Sequence, residues 1–254
     1  MQNVTAVAHR GDPYRFRENT VDSLRSALDR GADVVEIDVR LTRDGVPVLL
    51  HDDTLERLWE VERPLSALSA EEVGGLTGGR VPTLAQALAA TGDSRVMVDL
   101  CGPVTRRTMD RILDVIRQSG AGDRVYYSAG AETMLTVRAA DPAAEIALTW
   151  TTLAPPRPAL LAAIRPRWLN YRFSLVDRDL VARVHRDGRL VSVWTPDTRR
   201  ALSRLLDLGV DSITTNRIDV LHGLRSAPAE STGRSAGRSA RRAPRSAPRR
   251  LPQG

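Results

Sequence analysis

Residues 31–52 read GADVVEIDVRLTRDGVPVLLHD. In VVEIDV, acids interrupt an apolar run at alternate positions. Successive side chains of a strand point to opposite faces, so Glu36 and Asp38 share one face. The flanking Val34, Val35, Ile37 and Val39 are too apolar for a solvated edge strand. Two neighbouring acids facing a protein interior repel each other and are costly to desolvate. A divalent cation relieves both problems, and an open carboxylate cluster suits Mg²⁺ or Ca²⁺. Neutralising one of the acids, as in Asp38→Asn, is expected to relieve the repulsion when no ion is bound. The stretch closes with a second apolar run, VPVLL, directly before His51. Asp44-Gly45 marks a tight turn. The gap from Asp38 to Val46 is too short for a crossover helix, which needs about a dozen residues.

Outward from this segment, strand-like runs alternate with amphipathic stretches. The strand-like runs are 4–8, 34–39, 46–50, 96–100, 124–127, 145–149, 168–171, 190–194 and 211–214. The helical patterns fall at about 20–30, 83–90, 104–118, 131–140, 157–164, 177–186 and 197–208. Repeated β-then-α order implies a parallel sheet. The chain has 254 residues, and a closed TIM-type (βα)8 barrel typically needs about 250. The expected fold is therefore an α/β barrel, somewhat irregular because nine candidate strands compete for eight places. The surplus is expected either as a hairpin at 42–46 or as a false strand near 168–171. Residues 52–82, less periodic, read as a short insertion after the third strand.

Hydrophobic residues make up 42% and aromatics only 4%, so the core must be mainly aliphatic. All 37 basic residues are arginine, which excludes lysine-dependent chemistry such as a Walker A loop or a Schiff base. The net charge of +6 has one address: residues 226–254 carry seven arginines and one acid, Glu230, whereas 1–225 carry 30 of each sign. Two regions follow, a barrel over 1–225 and an Arg/Ser/Pro/Ala-rich tail over 226–254. The tail is too poor in large apolar residues to offset its ordering entropy and reads as disordered. Its arginines are suited to weak contact with anionic membrane surfaces; specific nucleic-acid binding is not expected. No apolar run reaches the ~18 residues of a membrane span, and no signal peptide is evident at the N-terminus. The single cysteine, Cys101, fits a reducing cytoplasm.

Of the four histidines, His9 and His51 directly follow apolar runs. In a βα barrel those positions are C-terminal strand ends, where active sites sit. Either one alone could be a strand cap; two in the same topological place point to function. His185 and His222 fall in helical patterns and read as structural. Asp99, at the end of RVMVDL, is a third acid able to complete a cation site or to cap a helix. Trp194 and Asn216 end later strand-like runs and are candidates for the mouth.

The blocks HRG at 9–11, ENT at 18–20, the segment at 31–52, VPTLAQAL at 81–88, VWTPD at 193–197 and GVDSITTN at 209–216 together resemble the glycerophosphodiester phosphodiesterase family. The resemblance spans about 1–225, and the 31–52 block is its most specific part. It implies a phospholipase-C-like TIM barrel that hydrolyses glycerophosphodiesters to sn-glycerol 3-phosphate and an alcohol. It implies that His9 and His51 are the general acid/base pair, that Glu36, Asp38 and Asp99 bind one Mg²⁺ or Ca²⁺, and that Arg10 contacts the phosphate. Trp194 and Asn216 would contact the substrate. The sequence departs from the family where Asp99 replaces a common Glu, Cys101 a common Lys and Arg17 a common Pro. Asp at position 99 also resembles the related sphingomyelinase D toxins, which keeps choline-type lysolipids or sphingolipids open as substrates. A catalytically inactive barrel that binds phospholipid headgroups is the remaining alternative.

Overall fold

The structure, a computed structural model, describes residues 4–102 and 104–226. The chain order is β1 (Thr5–Ala8), α1 (Val21–Asp29), β2 (Val34–Leu41), β3 (Pro47–Leu49), β4 (Thr54–Leu55), α2 (Glu56–Trp59), β5 (Val61–Pro64), α3 (Ala70–Thr77) and α4 (Leu84–Ala90). It continues with β6 (Arg95–Leu100), α5 (Arg106–Gln118), β7 (Val125–Ala129), α6 (Ala131–Ala140), β8 (Ile146–Trp150) and α7 (Pro158–Ile164). The last elements are β9 (Trp168–Arg172), α8 (Arg178–Arg186), β10 (Leu190–Trp194), α9 (Arg199–Leu208), β11 (Ser212–Thr215) and α10 (Ile218–Ser226).

Eight strands pair in parallel in the order β1-β11-β10-β9-β8-β7-β6-β2, and β1 pairs back to β2 through Val7–Val34 and Ala8–Val35. This closed ring, with a helix outside each crossover, is the expected (βα)8 barrel. The surplus strand is β3, which returns antiparallel along the top of β2, with Val39 opposite Leu49 and Leu41 opposite Pro47. The 168–171 run is a true barrel strand. The 52–82 insertion holds α2, α3 and the β4–β5 hairpin around a small core of its own that includes Leu55, Trp59, Leu65 and Val73. Helix α10 reaches Ser226, one residue past the expected end of the barrel region. The remainder of the Arg-rich segment, expected to be disordered, lies outside the described residues.

Strand parity sorts the side chains into layers. Val35, Ile37, Val39, Val96, Val98, Ile146 and Leu148 join the main core between sheet and helices. The alternate positions Val7, Val34, Met97, Tyr126, Ala147 and Trp168 form a separate buried cluster that plugs the barrel. Burying each of the larger of these side chains contributes roughly 1.5–3 kcal/mol. Two residues further along several of the same strands the inward positions become polar: Glu36, Asp99, Ser128, Thr149 and Asn170. The plug thus closes one end and leaves a polar cup at the C-terminal strand ends.

Helix starts are set by local capping. Thr20, Thr105, Asp177 and Thr198 accept from backbone N–H groups of the first turn, and Ser69 with Glu72 and Thr83 with Gln86 form capping boxes. Such caps typically stabilise a helix by about 1 kcal/mol each.

Candidate active site

The turn after β1 carries His9, Arg10 and Gly11. Arg10 and Gly11 both adopt positive φ, 58° and 90°. A Cβ on Gly11 would lie 2.6 Å from the backbone carbonyl carbon of Ser23 in α1, so only glycine lets the turn sit this close to the helix. The turn aims the Arg10 backbone N–H at Glu36 Oε2, 2.8 Å away. It also brings the guanidinium to Asp38, with Nε 2.9 Å from Oδ2. That buried N–H is not aligned on any acceptor, so the contact is an ion pair rather than a directed hydrogen bond.

Glu36 and Asp38 are buried, on the inner face of β2. Asp99 is the register partner of Asp38 on β6. It is part of the strand and caps no helix; α5 is capped by Thr105 instead. One carboxylate oxygen from each of the three acids lies within 4.8 Å of the others. Asp38 also accepts from Asn19 Nδ2 at 2.8 Å and from Cys101 Sγ at 3.1 Å. Burial first, and the neighbouring acids second, push Glu36 well above the usual carboxylate range and Asp99 up to about 7. The Cys101 thiol is also pushed up by burial and by Asp38 and Asp99. A buried all-oxygen donor set with this much unrelieved repulsion fits a hard divalent cation.

The two histidines are held by different partners. His9 Nδ1 is 2.8 Å from Asn216 Oδ1, and Asn216 Nδ2 donates to Asp197 Oδ2 at 2.7 Å. A carboxylate only accepts, so Asp197 sets the amide orientation, and Asn216 must receive the Nδ1 proton of His9. Burial, then the charge of Arg10, lowers the His9 pKa below 6.5. His51 Nδ1 is 2.7 Å from Asp52 Oδ1. Asp52 pairs with Arg57, Arg57 with Glu18 at 2.6 Å, and Glu18 with Arg10 at 3.0 Å. A continuous chain of charges therefore joins His51 to Arg10 and on to Asp38. Glu18 stays below the usual carboxylate range despite its burial because Arg57 and Arg10 both bond it.

These groups meet at one cavity of about 530 Å³ at the C-terminal strand ends, lined by His9, Arg10, Glu36, Asp38, His51 and Asp99 among others. Trp194 lines the opposite wall with Asn170 and Thr214. The indole N–H of Trp194, the amide oxygen of Asn170 and the Thr214 hydroxyl are buried without protein partners. Asn216, expected at the mouth, does not line the cavity; both ends of its amide are engaged by His9 and Asp197. His185 bonds Asp211 at 2.7 Å, and His222 packs beneath Gly31, as structural histidines would. Sequence reasoning overlooked Glu18, Asp52, Arg57, Asp197 and Asn170. Glu18, in ENT, Asp52, adjoining His51, and Asp197, in VWTPD, carried a local signal; Arg57 and Asn170 carried none.

Fold and site define a class: a (βα)8-barrel enzyme with a mouth of carboxylates and histidines. The family model of the glycerophosphoryl diester phosphodiesterase family matches residues 9–220. The Probable glycerophosphodiester phosphodiesterase 2 of Mycobacterium tuberculosis is 32% identical over 253 residues, covering 90% of this chain and 93% of the relative. A glycerophosphodiester phosphodiesterase of Caldanaerobacter subterraneus is 27% identical, covering 86% and 96%. Among solved structures, an Oleispira antarctica phosphodiesterase in complex with the product sn-glycerol-3-phosphate superposes with a TM-score of 0.77 at 24% identity, covering 88% of this chain and 97% of that one. The Thermotoga maritima glycerophosphodiester phosphodiesterase superposes at 0.75 and 19% identity, covering 89% and 100%. The chain belongs to the glycerophosphodiester phosphodiesterase family, and it is an enzyme of that type.

Proposed function

We propose that the protein hydrolyses glycerophosphodiesters to sn-glycerol 3-phosphate and an alcohol, with one divalent cation at Glu36, Asp38 and Asp99. One observation carries this reading: three carboxylates with mutually close oxygens line the same cavity as both histidines. The product complex of the Oleispira phosphodiesterase, a structural neighbour, supports the substrate class. Mg²⁺ and Ca²⁺ both suit the oxygen donors. When bound, the ion neutralises phosphate oxygens and stabilises the charge that develops on them.

The chain's own residues supply the rest. Arg10, which lines the cavity, offers its guanidinium charge to a phosphate oxygen. His9 and His51 use the ring nitrogen left free, Nε2, to move protons. His9, neutral and tautomerically fixed by Asn216, is the base that takes a proton from the attacking hydroxyl, whether of water or of the glycerol itself. His51 has a carboxylate behind it to balance positive charge, so it is the acid that protonates the leaving oxygen. Asn216 is a positioning residue for His9. Trp194 and Asn170 face the organic part of the substrate. The neutral region 1–225 is the catalytic unit, a division supported by the extent of the family match. The tail is an accessory that adheres to anionic lipid surfaces. The single cysteine supports work in a reducing compartment such as the cytoplasm. Among the described residues no helix is long and apolar enough to cross a membrane.

The test is release of glycerol 3-phosphate from glycerophosphocholine, glycerophosphoethanolamine and glycerophosphoglycerol. Chelator should abolish it, and Mg²⁺ or Ca²⁺ should restore it. Full turnover in chelator, or release of no glycerol 3-phosphate from any of these, overturns the reading.

A further inference from the structure

We propose that Asp38, His51 and Cys101 form a second cation site, for a borderline or soft divalent ion of the Zn²⁺ class, sharing Asp38 with the all-oxygen site. The three residues come from separate places: strand β2, the segment after the β3 hairpin, and the residue just past β6. One donor atom from each lies within 4.8 Å of the other two. A tetrahedral ion with bonds of about 2.0–2.3 Å holds its donors roughly 3.3–3.8 Å apart. Cys101 Sγ is already 3.1 Å from Asp38 Oδ1. Small rotations of His51 and Cys101, neither fully buried, close the remaining gap.

The His51 ring provides an independent pointer. Its Nδ1 is held by Asp52 at 2.7 Å, which leaves Nε2 as the donor available for an ion. A carboxylate behind the distal ring nitrogen is the usual support of a metal-bound histidine. Asp52 is itself braced by Arg57, so the ring is oriented before any ion arrives. His51 also lines the open cavity of about 530 Å³, which leaves room for water or a phosphate oxygen as fourth ligand.

The two donor sets select different ions. Glu36, Asp38 and Asp99 offer only oxygen, which suits Mg²⁺ and Ca²⁺. Asp38, His51 and Cys101 offer oxygen, nitrogen and sulfur, a combination that favours Zn²⁺ or Co²⁺ over Mg²⁺. On binding, the Cys101 S–H bond breaks, its proton leaves to solvent and a sulfur–metal bond forms; no electron changes hands. His51 binds as neutral imidazole through Nε2, so that nitrogen can no longer transfer a proton. Zn²⁺ should therefore inhibit turnover supported by Mg²⁺, a consequence that rests on the catalytic reading of His51.

The protein contains one cysteine, so any thiolate–metal signal reports on Cys101. Titration of the full chain with Co²⁺ should give a thiolate-to-cobalt charge-transfer band in the near ultraviolet, with release of about one proton per ion. Cys101→Ser should abolish the band and weaken Zn²⁺ binding, measured by competition calorimetry, by more than about a hundredfold; loss of the outer-shell partner in Asp52→Asn should weaken it about 10–100-fold. His51→Ala, which keeps the thiol, should also lose more than about a hundredfold. It gives a second reading if the cysteine variant folds poorly by thermal melting. Absence of the band in the unmodified protein at saturating Co²⁺, or Zn²⁺ affinity unchanged in either ligand variant, overturns the proposal. If the band forms in a protein that cleaves no glycerophosphodiester, the catalytic reading fails and the site stands. If Mg²⁺-supported turnover is present without the band, only the site fails.

Discussion

Asp38 and Asp99 are register partners across the β2–β6 pairing, and the Cys101 thiol lies against both, 3.1 Å from the first and 3.7 Å from the second. The two carboxylates are not equivalent. Asp38 is matched by Arg10 and Asn19, whereas the burial of Asp99 and the neighbouring charge of Asp38 outweigh its bonds to Ser128 and Cys101. The sequence alone suggested Asp38→Asn as the change that relieves repulsion. In the structure that change would take from the Arg10 guanidinium the buried carboxylate beside its Nε and leave it Glu18, so Asp99→Asn is the relieving substitution. In chelator near pH 8 it should raise stability by up to about 4 kcal/mol, since Asp99 is displaced from 3.8 to about 7 and each unit of pKa displacement corresponds to about 1.4 kcal/mol. It should also remove the stabilisation that Mg²⁺ or Ca²⁺ gives the unmodified protein. Denaturant melts with and without the ion check both; an unchanged or lowered chelator value counts against the cluster.

The same displacement predicts an unusual pH dependence. Glu36 and Asp99 have folded values above the ordinary carboxylate range of about 4. The contribution of Asp99 is therefore fully present below about pH 4 and is lost as pH rises through about 7, and that of Glu36 is lost in the same direction as pH rises. His9, whose value is lowered, acts in the opposite sense below 6.5, and Glu18 and Asp52, also lowered, do so in stronger acid. With two carboxylates against one imidazole, the metal-free protein should melt at progressively lower temperature between about pH 5 and 7.5. Saturating Mg²⁺, which binds the ionised carboxylates, should flatten that decline. A chelator-treated protein whose melting temperature rises across this range contradicts the arrangement.

His9 and His51 should separate by leaving group. Loss of either general acid or general base typically costs about 10²–10⁴ in rate on an alkyl diester such as glycerophosphocholine. A p-nitrophenyl diester leaves without needing a proton. His51→Ala should therefore recover most of its rate on the aryl substrate, and His9→Ala should not. Rescue of the His9 variant instead would reverse the two roles.

Asp197→Asn and Asn216→Ala should act through His9. Either change frees the imidazole to rotate or to take the other tautomer. The expected loss in kcat is about tenfold or more, but smaller than the 10²–10⁴ lost when a general base is removed. KM should stay nearly constant, because Asn216 does not line the cavity. A change confined to KM would return Asn216 to substrate contact.

A chain ending at Ser226 should keep its turnover on soluble glycerophosphodiesters and lose low-salt binding to anionic vesicles. The seven arginines removed are worth at most about 1 kcal/mol each at such a surface, and salt screens them. Sedimentation with phosphatidylserine vesicles at two salt concentrations, beside an assay on glycerophosphocholine, reads both effects. Loss of soluble turnover on truncation would place the tail in the catalytic unit.

Local pattern determined a good deal of this protein. The alternation of VVEIDV put Glu36 and Asp38 on one face, the β-then-α rhythm implied a parallel barrel, and apolar runs ending at His9 and His51 placed both histidines at strand ends. These are consequences of backbone geometry over a few residues, so neighbours in the chain suffice to read them. Tertiary structure alone decided that the surplus strand folds back as β3, that Asp99 stands opposite Asp38, and that Cys101 reaches both. It also decided that Asn216 serves His9 from 207 positions away and that Arg57 ties Asp52 to Glu18. Those contacts depend on the closure and register of the whole barrel, because a one-residue slip of any strand would turn its inward side chains out. No short stretch of sequence carries that register; it emerges only when all eight strands satisfy their hydrogen bonds and bury their apolar faces together.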